Sequence, residues 1–427
     1  MKICLVGLGY IGLPTAVLFA RSGCTVQGVD SQPSVVDRIG RQIVDPQEPG
    51  LREALADVLA SGALTVSTEL VAADVYLVCV QTPMSDSRVP DLSFVEAAAV
   101  SLLPWLRSGN LVLLESTVPP GTMERVLLPI LGRTGLRLGE ELHAAYSPER
   151  VLPGRVLQEL AVNSRIIGGI DDRSTRMAVA LYRHFVRGDI HTTDLRTAEM
   201  IKLIENTYRD VNIAYVNELA RLAETIGFNV WEAVRLANTH PRVHVHQPGP
   251  GVGGHCIAVD PWFIVDAAAG DAPLVKLARD VNDAVPLRVA AKVETMVAGV
   301  AEPVVTLLGL AFKGDVADTR NSPSAAVRDV LAAKGYRLRL FDPYVRPSGD
   351  GWDAACNLEA AAAGSDCLVL LTDHSLFREP DYLLPAIGGM RTRQVLDTRN
   401  VLDGGRLAAL GAVYVRLGDG KKPAEHE

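Results

Sequence analysis

The chain has 427 residues, too many for one ordinary core, and length favours roughly two or three domains. Its 42 lysines and arginines stand against 50 aspartates and glutamates, and the net charge of -8 argues against general nucleic-acid binding. The six cysteines (Cys4, Cys24, Cys79, Cys256, Cys356, Cys367) lack metal-ligand spacing, no secretory signal is read, and no run of about 18 uncharged apolar residues occurs, so the expectation is a soluble cytoplasmic protein with reduced thiols and no membrane span.

In chain order, KICLVGLG predicts a strand, TAVLFARSG a helix, TVQGVD a second strand, and ADVYLVCV and NLVLLEST two more. Apolar strands alternating with helices imply parallel pairing with both faces covered, a doubly wound α/β domain. The turn GLGYIG lies between the first strand and its helix, with Asp30 ending the next strand. Gly7 permits the tight turn, Gly9 lets a pyrophosphate approach the helix N-terminus, Gly12 lets helix and strand touch, and Asp30 can accept both ribose hydroxyls. An acid there favours NAD over NADP, whose 2'-phosphate it repels.

From about Arg196 the spacing of Met200, Leu203, Ile204, Val211, Ala214 and Leu219 predicts one long amphipathic helix stopped by Gly227. WEAVRLAN follows as a second helix, with Asn229 as N-cap and Glu232 three residues later. After Pro303 the strand–helix alternation resumes through VVTLLGLAF, SAAVRDVLAAKG, YRLRLFDP, DCLVLLTDH and QVLDTRN, an echo of the first half without a second G-x-G-x-x-G. The tail DGKKPAEHE is expected to be disordered.

Cys256 differs from the cysteines in strand-like runs, because Gly249, Gly251, Gly253 and Gly254 precede it and are expected to leave the backbone open to a ligand. A thiol beside NAD suggests a particular chemistry. Oxidising an alcohol yields an aldehyde, which has no oxyanion from which to expel a second hydride; a cysteine adding to it gives a thiohemiacetal, then a thioester for water to hydrolyse. That route needs an oxyanion stabiliser and a proton handler. Lys202 and Asn206 lie one helical turn apart on one face, although the helix by itself favours a solvated salt-bridging face, with Glu205 and Arg209 as its pair. Asp260 is either a proton handler or a turn residue before Pro261. His240, His244 and His246, with His255, lie in a loop-like stretch interrupted by Arg242, so no metal site is assigned.

GLGYIGLP, ESTVPPGT, SPERVLPG, EMIKLIENTYRDVNIAYVNE, GPGVGGHCIAVDPWF and AFKGDVADTRNSP together, in this order, resemble the UDP-glucose/GDP-mannose dehydrogenase family over nearly the whole chain. TAEMIKL, ANTHPRV and GVGGHCIAVDPWF are most similar to its branch acting on UDP-N-acetyl-D-mannosamine, which uses two NAD per sugar to make the uronate for polysaccharides. The resemblance implies two Rossmann-like doubly wound parallel-sheet domains joined by a central helical region. Residues 1–195 would bind NAD, 196–300 would form a homodimer and carry the cysteine loop, and 301–420 would bind the UDP-sugar. It implies Cys256 as nucleophile, with Lys202, Asn206, Asp260 and Glu149 around the reacting carbon. It places Gly7, Gly9, Tyr10, Ile11, Gly12, Asp30, Thr82, Thr117 and Arg320 at the cofactor, and Glu149, Arg150, Lys202, Asn206, His255 and Lys313 at the substrate. Arg242 would reach the substrate of the neighbouring subunit. Ala317 and Asn321 depart from the acids the family often shows there. A UDP-N-acetyl-D-glucosamine 6-dehydrogenase would share nearly every motif, and an NAD-binding redox sensor is the alternative of another class.

Overall fold

The computed structural model describes residues 1–44, 48–85, 87–151, 154–345, 353–355 and 357–420; Leu152 and Pro153 of SPERVLPG, Cys356 and residues 421–427 of the tail lie outside them. The chain divides into two units, Met1–Glu205 with Trp262–Asp271, and Asn206–Pro261 with Ala272–Glu427.

The first unit holds an 8-stranded sheet of β1 (Lys2–Val6), β2 (Thr25–Val29), β3 (Leu64–Ser67), β4 (Val75–Val78), β5 (Leu111–Leu114), β6 (His143–Tyr146), β7 (Arg165–Gly169) and β8 (Ile190–Thr193), in the order β3-β2-β1-β4-β5-β6-β7-β8. VYLV of β4 and LVLL of β5 are buried at every position, as expected for central strands covered on both faces. Ile3 and Leu5 of β1 point into one core with Leu13, Val17 and Phe19 of the helix Gly12–Arg21, while Cys4 points into the other. This sheet is parallel except between β6 and β7, which run antiparallel. The seven-residue helix joining them, Val156–Val162, packs against Gly12–Arg21 instead of crossing back over the sheet, so β7 runs opposite to β6.

The second unit holds a 6-stranded sheet of β9 (Val304–Leu308), β10 (Arg337–Phe341), β11 (Asp353–Ala354), β12 (Cys367–Leu370), β13 (Gln394–Asp397) and β14 (Val413–Arg416), ordered β11-β10-β9-β12-β13-β14 and parallel throughout. Each sheet reverses its winding beside its first strand, which leaves a crevice at the carboxyl ends of the strands.

The architectural echo extends to the first turn. Gly7 N donates to Val29 O at 2.8 Å, and Gly309 N donates to Phe341 O at 2.8 Å. Leu8 N donates to Asp30 Oδ2 at 3.0 Å, and Leu310 N donates to Asp342 Oδ2 at 2.7 Å. GLAFKG (309–314) thus occupies the place of GLGYIG. In the second copy Asp342 also accepts from Ala311 N at 3.1 Å and from His374 Nε2 at 3.0 Å. Its carboxylate oxygens are therefore committed to holding the fold.

The long helix spans Leu195–Ile226 and ends at Gly227, whose φ is 88°. Asn229 Oδ1 accepts from Trp231 N and Glu232 N, capping Val230–Ala237 as its side chain predicts. Helices Asp260–Ala267, Pro273–Asp283 and Val285–Met296 follow. Of the stretch expected to be disordered, Asp419 is instead buried, and the chain just before it is anchored: Trp231 Nε1 donates to Leu417 O at 2.8 Å and Val230 N donates to Gly418 O at 2.9 Å. Order there comes from contacts with helices distant in sequence, which local polarity does not report.

Candidate active site

In the first unit, the residues expected at the cofactor gather where β1, β2, β4 and β5 end. Gly7 has φ 95°, and a Cβ on it would sit 2.5 Å from Cys79 O; one on Gly12 would sit 1.8 Å from Gly7 O. A Cβ on Gly9 meets nothing within 4 Å. Protein neighbours therefore require Gly7 and Gly12, whereas at Gly9 the backbone faces an open cradle, with Ile11 and the helix Gly12–Arg21 beside it, suited to a pyrophosphate. Asp30 shapes this turn, accepting from Leu8 N and from Gln32 N, each at 3.0 Å. Thr82 Oγ1 donates to Thr117 O at 2.6 Å, bringing those two residues together across the ends of β4 and β5. The Tyr10 hydroxyl donates to Glu48, whose buried carboxylate also accepts from Gly154 N at 2.6 Å and Val156 N at 3.1 Å. Sequence reasoning missed Glu48, since a lone acid before PGL carries no spacing signal.

Lys202 is 6 % exposed, and its ammonium lies 3.6 Å from Glu149 Oε2. Burial raises the Glu149 pKa, opposed by Lys202 and by the Val151 N–H that its other oxygen accepts. A carboxyl whose pKa burial raises, beside an ammonium, has the chemistry to pass a proton. Arg150 is committed elsewhere, donating to Glu205 Oε1 at 2.7 Å and Ser164 O at 2.9 Å. Beneath lies a network without motif signal: Arg165 Nη1 lies 2.5 Å from Glu115 Oε1, Tyr182 donates to the same oxygen, and Cys79 Sγ donates to Glu115 Oε2 at 3.1 Å. Burial pushes the Cys79 thiol well above its ordinary value, so this cysteine is a structural donor. Glu199, also missed, accepts from Gly121 N and Met123 N at the end of ESTVPPGT.

In the second unit, Asn206 is 1 % exposed and Asp260 4 %, and Asn206 Nδ2 donates to Asp260 Oδ2 at 2.5 Å. Arg209 donates to Asn206 Oδ1, which fixes the amide's orientation. The helix face carrying Lys202 and Asn206 is thus buried rather than solvated. Asp260 N donates to Cys256 O at 2.8 Å, a turn that leads into Asp260–Ala267 and ties the half-buried Cys256 to the acid. None of the five described cysteines is in a disulfide.

The glycines before Cys256 are dictated by protein rather than by ligand space. A Cβ on Gly249 would lie 2.8 Å from Arg399 Nη1, and one on Gly253 would lie 2.6 Å from Phe312 Cβ and 2.8 Å from Asn321 O. Gly254 N donates to Arg320 O at 3.0 Å, and Asn321 Nδ2 donates to Gly254 O at 3.2 Å. AFKGDVADTRNSP therefore holds the cysteine loop, and Asn321, with φ 48°, serves that contact. Arg320 is forked onto Asp318 at 2.5–3.1 Å, and against burial its hydrogen bonds and charge hold Asp318 below the usual carboxylate range. His255 and Lys313 are exposed; Arg242 is exposed on the turn after Val230–Ala237 and its backbone N–H donates to His240 Nδ1. Among the described residues no group of three histidines, cysteines or acids is placed to hold a metal.

Three domain profiles match in order: the family's NAD binding domain over residues 1–186, its central domain over 196–284 and its UDP binding domain over 306–404. The chain belongs to the UDP-glucose/GDP-mannose dehydrogenase family. It is 41% identical over 427 residues to a UDP-N-acetyl-D-mannosamine dehydrogenase of Methanococcus maripaludis, covering 98% of this chain and 97% of that protein. It is 44% identical over 417 residues to an NDP-N-acetyl-D-galactosaminuronic acid dehydrogenase of Ralstonia solanacearum, covering 95% and 97%. A solved UDP-D-ManNAc dehydrogenase from Pyrococcus horikoshii superposes with a TM-score of 0.91 at 41% identity, covering 98% of this chain and 100% of that one. This member of the family is an NAD-dependent nucleotide-sugar dehydrogenase, and the Gly9 cradle with Asp30 matches that cofactor. No helix among the described residues is long and apolar enough to cross a membrane.

Proposed function

We propose that the protein oxidises C6 of UDP-N-acetyl-D-mannosamine to the uronate, a four-electron reaction using two NAD. The tie between Cys256 and the Asn206–Asp260 pair, at the end of a loop held from both sides, is the observation that carries the reading. The relatives named for the same sugar support it. Residues 1–195 would serve NAD, 196–300 dimerisation and the cysteine, and 301–420 the UDP moiety.

NAD, when bound by Gly7, Gly9, Tyr10, Ile11, Gly12, Asp30, Thr82, Thr117 and Arg320, accepts one hydride in each of the two oxidations. The remaining chemistry belongs to side chains of this chain. Glu149, beside the Lys202 ammonium, takes the C6 hydroxyl proton as the aldehyde forms. The Cys256 thiolate then adds to the aldehyde carbon, making a C–S bond, while the Lys202 ammonium and the Asn206 amide hold the resulting oxyanion. Once the second hydride has left, a thioester joins Cys256 to the sugar. Asp260 or Glu149 takes a proton from water, whose oxygen adds to the thioester and expels the Cys256 thiolate with the uronate as product. His255 and Lys313 would face the UDP-sugar from the same chain, and Arg242 would reach it from a neighbouring subunit, with Lys313 and Arg242 supplying positive charge for the pyrophosphate in an otherwise acidic protein.

A cytoplasmic homodimer built on the long helix accommodates Arg242, and Ile204, Tyr208 and Tyr215, 52–57% exposed along one stripe of it, supply an apolar face. The product would feed polysaccharide synthesis. The 44% identity to the Ralstonia solanacearum enzyme favours an N-acetyl-galacto sugar as the second reading. The test is NADH formed per sugar with UDP-N-acetylmannosamine and its gluco and galacto epimers, beside Cys256→Ser. About two NADH per manno sugar, lost in the variant, supports the proposal. Preference for an epimer reassigns the sugar. NAD binding without NADH from any of the three overturns the dehydrogenase reading for these substrates and favours a redox sensor.

A further inference from the structure

The cysteine loop is pinned at Gly254 by Arg320 and Asn321, and its other end, Gly249, is held by buried polar groups to which the reaction gives no role. Asn217, 3 % exposed on the long helix, accepts the Gly249 N–H on Oδ1 at 3.0 Å. Asn217 Nδ2 donates to Asn282 Oδ1 at 2.9 Å. Asn282 Nδ2 in turn donates to Asp210 Oδ1 at 2.8 Å and to Asp210 O at 3.0 Å. Arg279, 2 % exposed, clamps Asp210 Oδ1 at 2.5 Å and also donates to Asp283.

These hydrogen bonds can run in one direction only. Both Asp210 atoms facing Asn282 are acceptors, so its amide must turn its nitrogen toward them and its oxygen toward Asn217. That oxygen requires the Asn217 nitrogen, which leaves the Asn217 oxygen for Gly249. A flip of either amide would set acceptor against acceptor on one side and donor against donor on the other, in a site shut off from water, where an unmet polar contact costs most. Gly249 cannot drift sideways either, because the Arg399 guanidinium occupies the space a side chain would need.

We infer that Asn217, oriented through Asn282 by the Arg279–Asp210 pair, is a positioning residue for Cys256: it sets where the cysteine loop starts and so where the thiol is presented. The inference rests on Cys256 being the nucleophile. It explains why a buried position of the long helix carries an amide rather than an apolar side chain, although an amide there has to satisfy every one of its polar atoms.

The test is Asn217→Asp in the full-length protein. This change is isosteric and keeps an acceptor for Gly249, but it faces Asn282 Oδ1 with a carboxylate oxygen in place of the amide nitrogen. With folding and NAD affinity retained, kcat is expected to fall about tenfold or more with KM for the sugar within about twofold, and the rate of Cys256 alkylation by iodoacetamide, read by peptide mass, to change by a similar factor. Packing alone would not produce that split. A folded variant with wild-type kcat and wild-type Cys256 alkylation overturns the inference. If Asn217→Asp does not fold, Asn217→Ala, which removes the acceptor without opposing oxygens, carries the same two readings and the same criterion. Failure of the underlying assignment looks different: alkylation of Cys256 in the wild type would then leave NADH production intact.

Discussion

Glu199 sets burial against hydrogen bonding in one side chain. It is fully buried on the long helix, and its oxygens accept from the N–H groups of Gly121 and Met123, the latter at 2.7 Å. Burial nevertheless pushes its pKa from 4.5 up to about 7, against the pull of both donors. Between these values the unfolded chain is ionised while the folded chain keeps the proton. Stability fully present below pH 4.5 is therefore lost as the pH rises through about 7. At about 1.36 kcal/mol per pH unit the gap amounts to about 3.4 kcal/mol, of which about 2.4 kcal/mol falls between about pH 5 and pH 7.5. Glu199→Gln cannot ionise and is expected to remove that slope, whatever it costs at a single pH. Urea denaturation of both proteins across this range gives the comparison, because the other titrating groups cancel in the difference. Parallel stability–pH curves would refute the reasoning and mean that the two N–H groups keep Glu199 ionised throughout.

Two glycines are expected to respond oppositely to alanine. Gly9→Ala meets no protein atom and should leave the melting temperature unchanged while weakening NAD binding; Gly253→Ala forces Phe312 and Asn321 aside and should cost about 1–3 kcal/mol in unfolding while NAD binding survives. Asp30→Ala removes the charge expected to repel a 2'-phosphate, and the NAD-to-NADP ratio of kcat/KM should fall about tenfold or more, although the lost bonds to Leu8 and Gln32 will also lower kcat/KM for both cofactors. Arg242→Ala mixed with Cys256→Ser should regain about a quarter of wild-type activity after subunit exchange, because half the dimers then hold one intact site of two. No recovery in demonstrated mixed dimers would remove Arg242 from the neighbouring site.

Much of the architecture obeys local rules and is legible along the chain. Apolar strands wound with helices specified parallel sheets, Gly227 ended the long helix, Asn229 capped the next, and Gly7 and Gly12 reported a turn with no room for side chains. Motif order was enough to reach the family. Other features depend on residues far apart in the chain, and there packing in three dimensions governs. Packing reversed β7, because the preceding segment spends its helix beside Gly12–Arg21. It reassigned the glycines before Cys256 from ligand access to contact with Phe312 and Asn321. It also made partners of Glu48 and Tyr10, of Glu115 and Arg165, and of Asn217 and Gly249. A buried polar group is defined by what faces it, and no periodicity along the chain records which distant donor that will be.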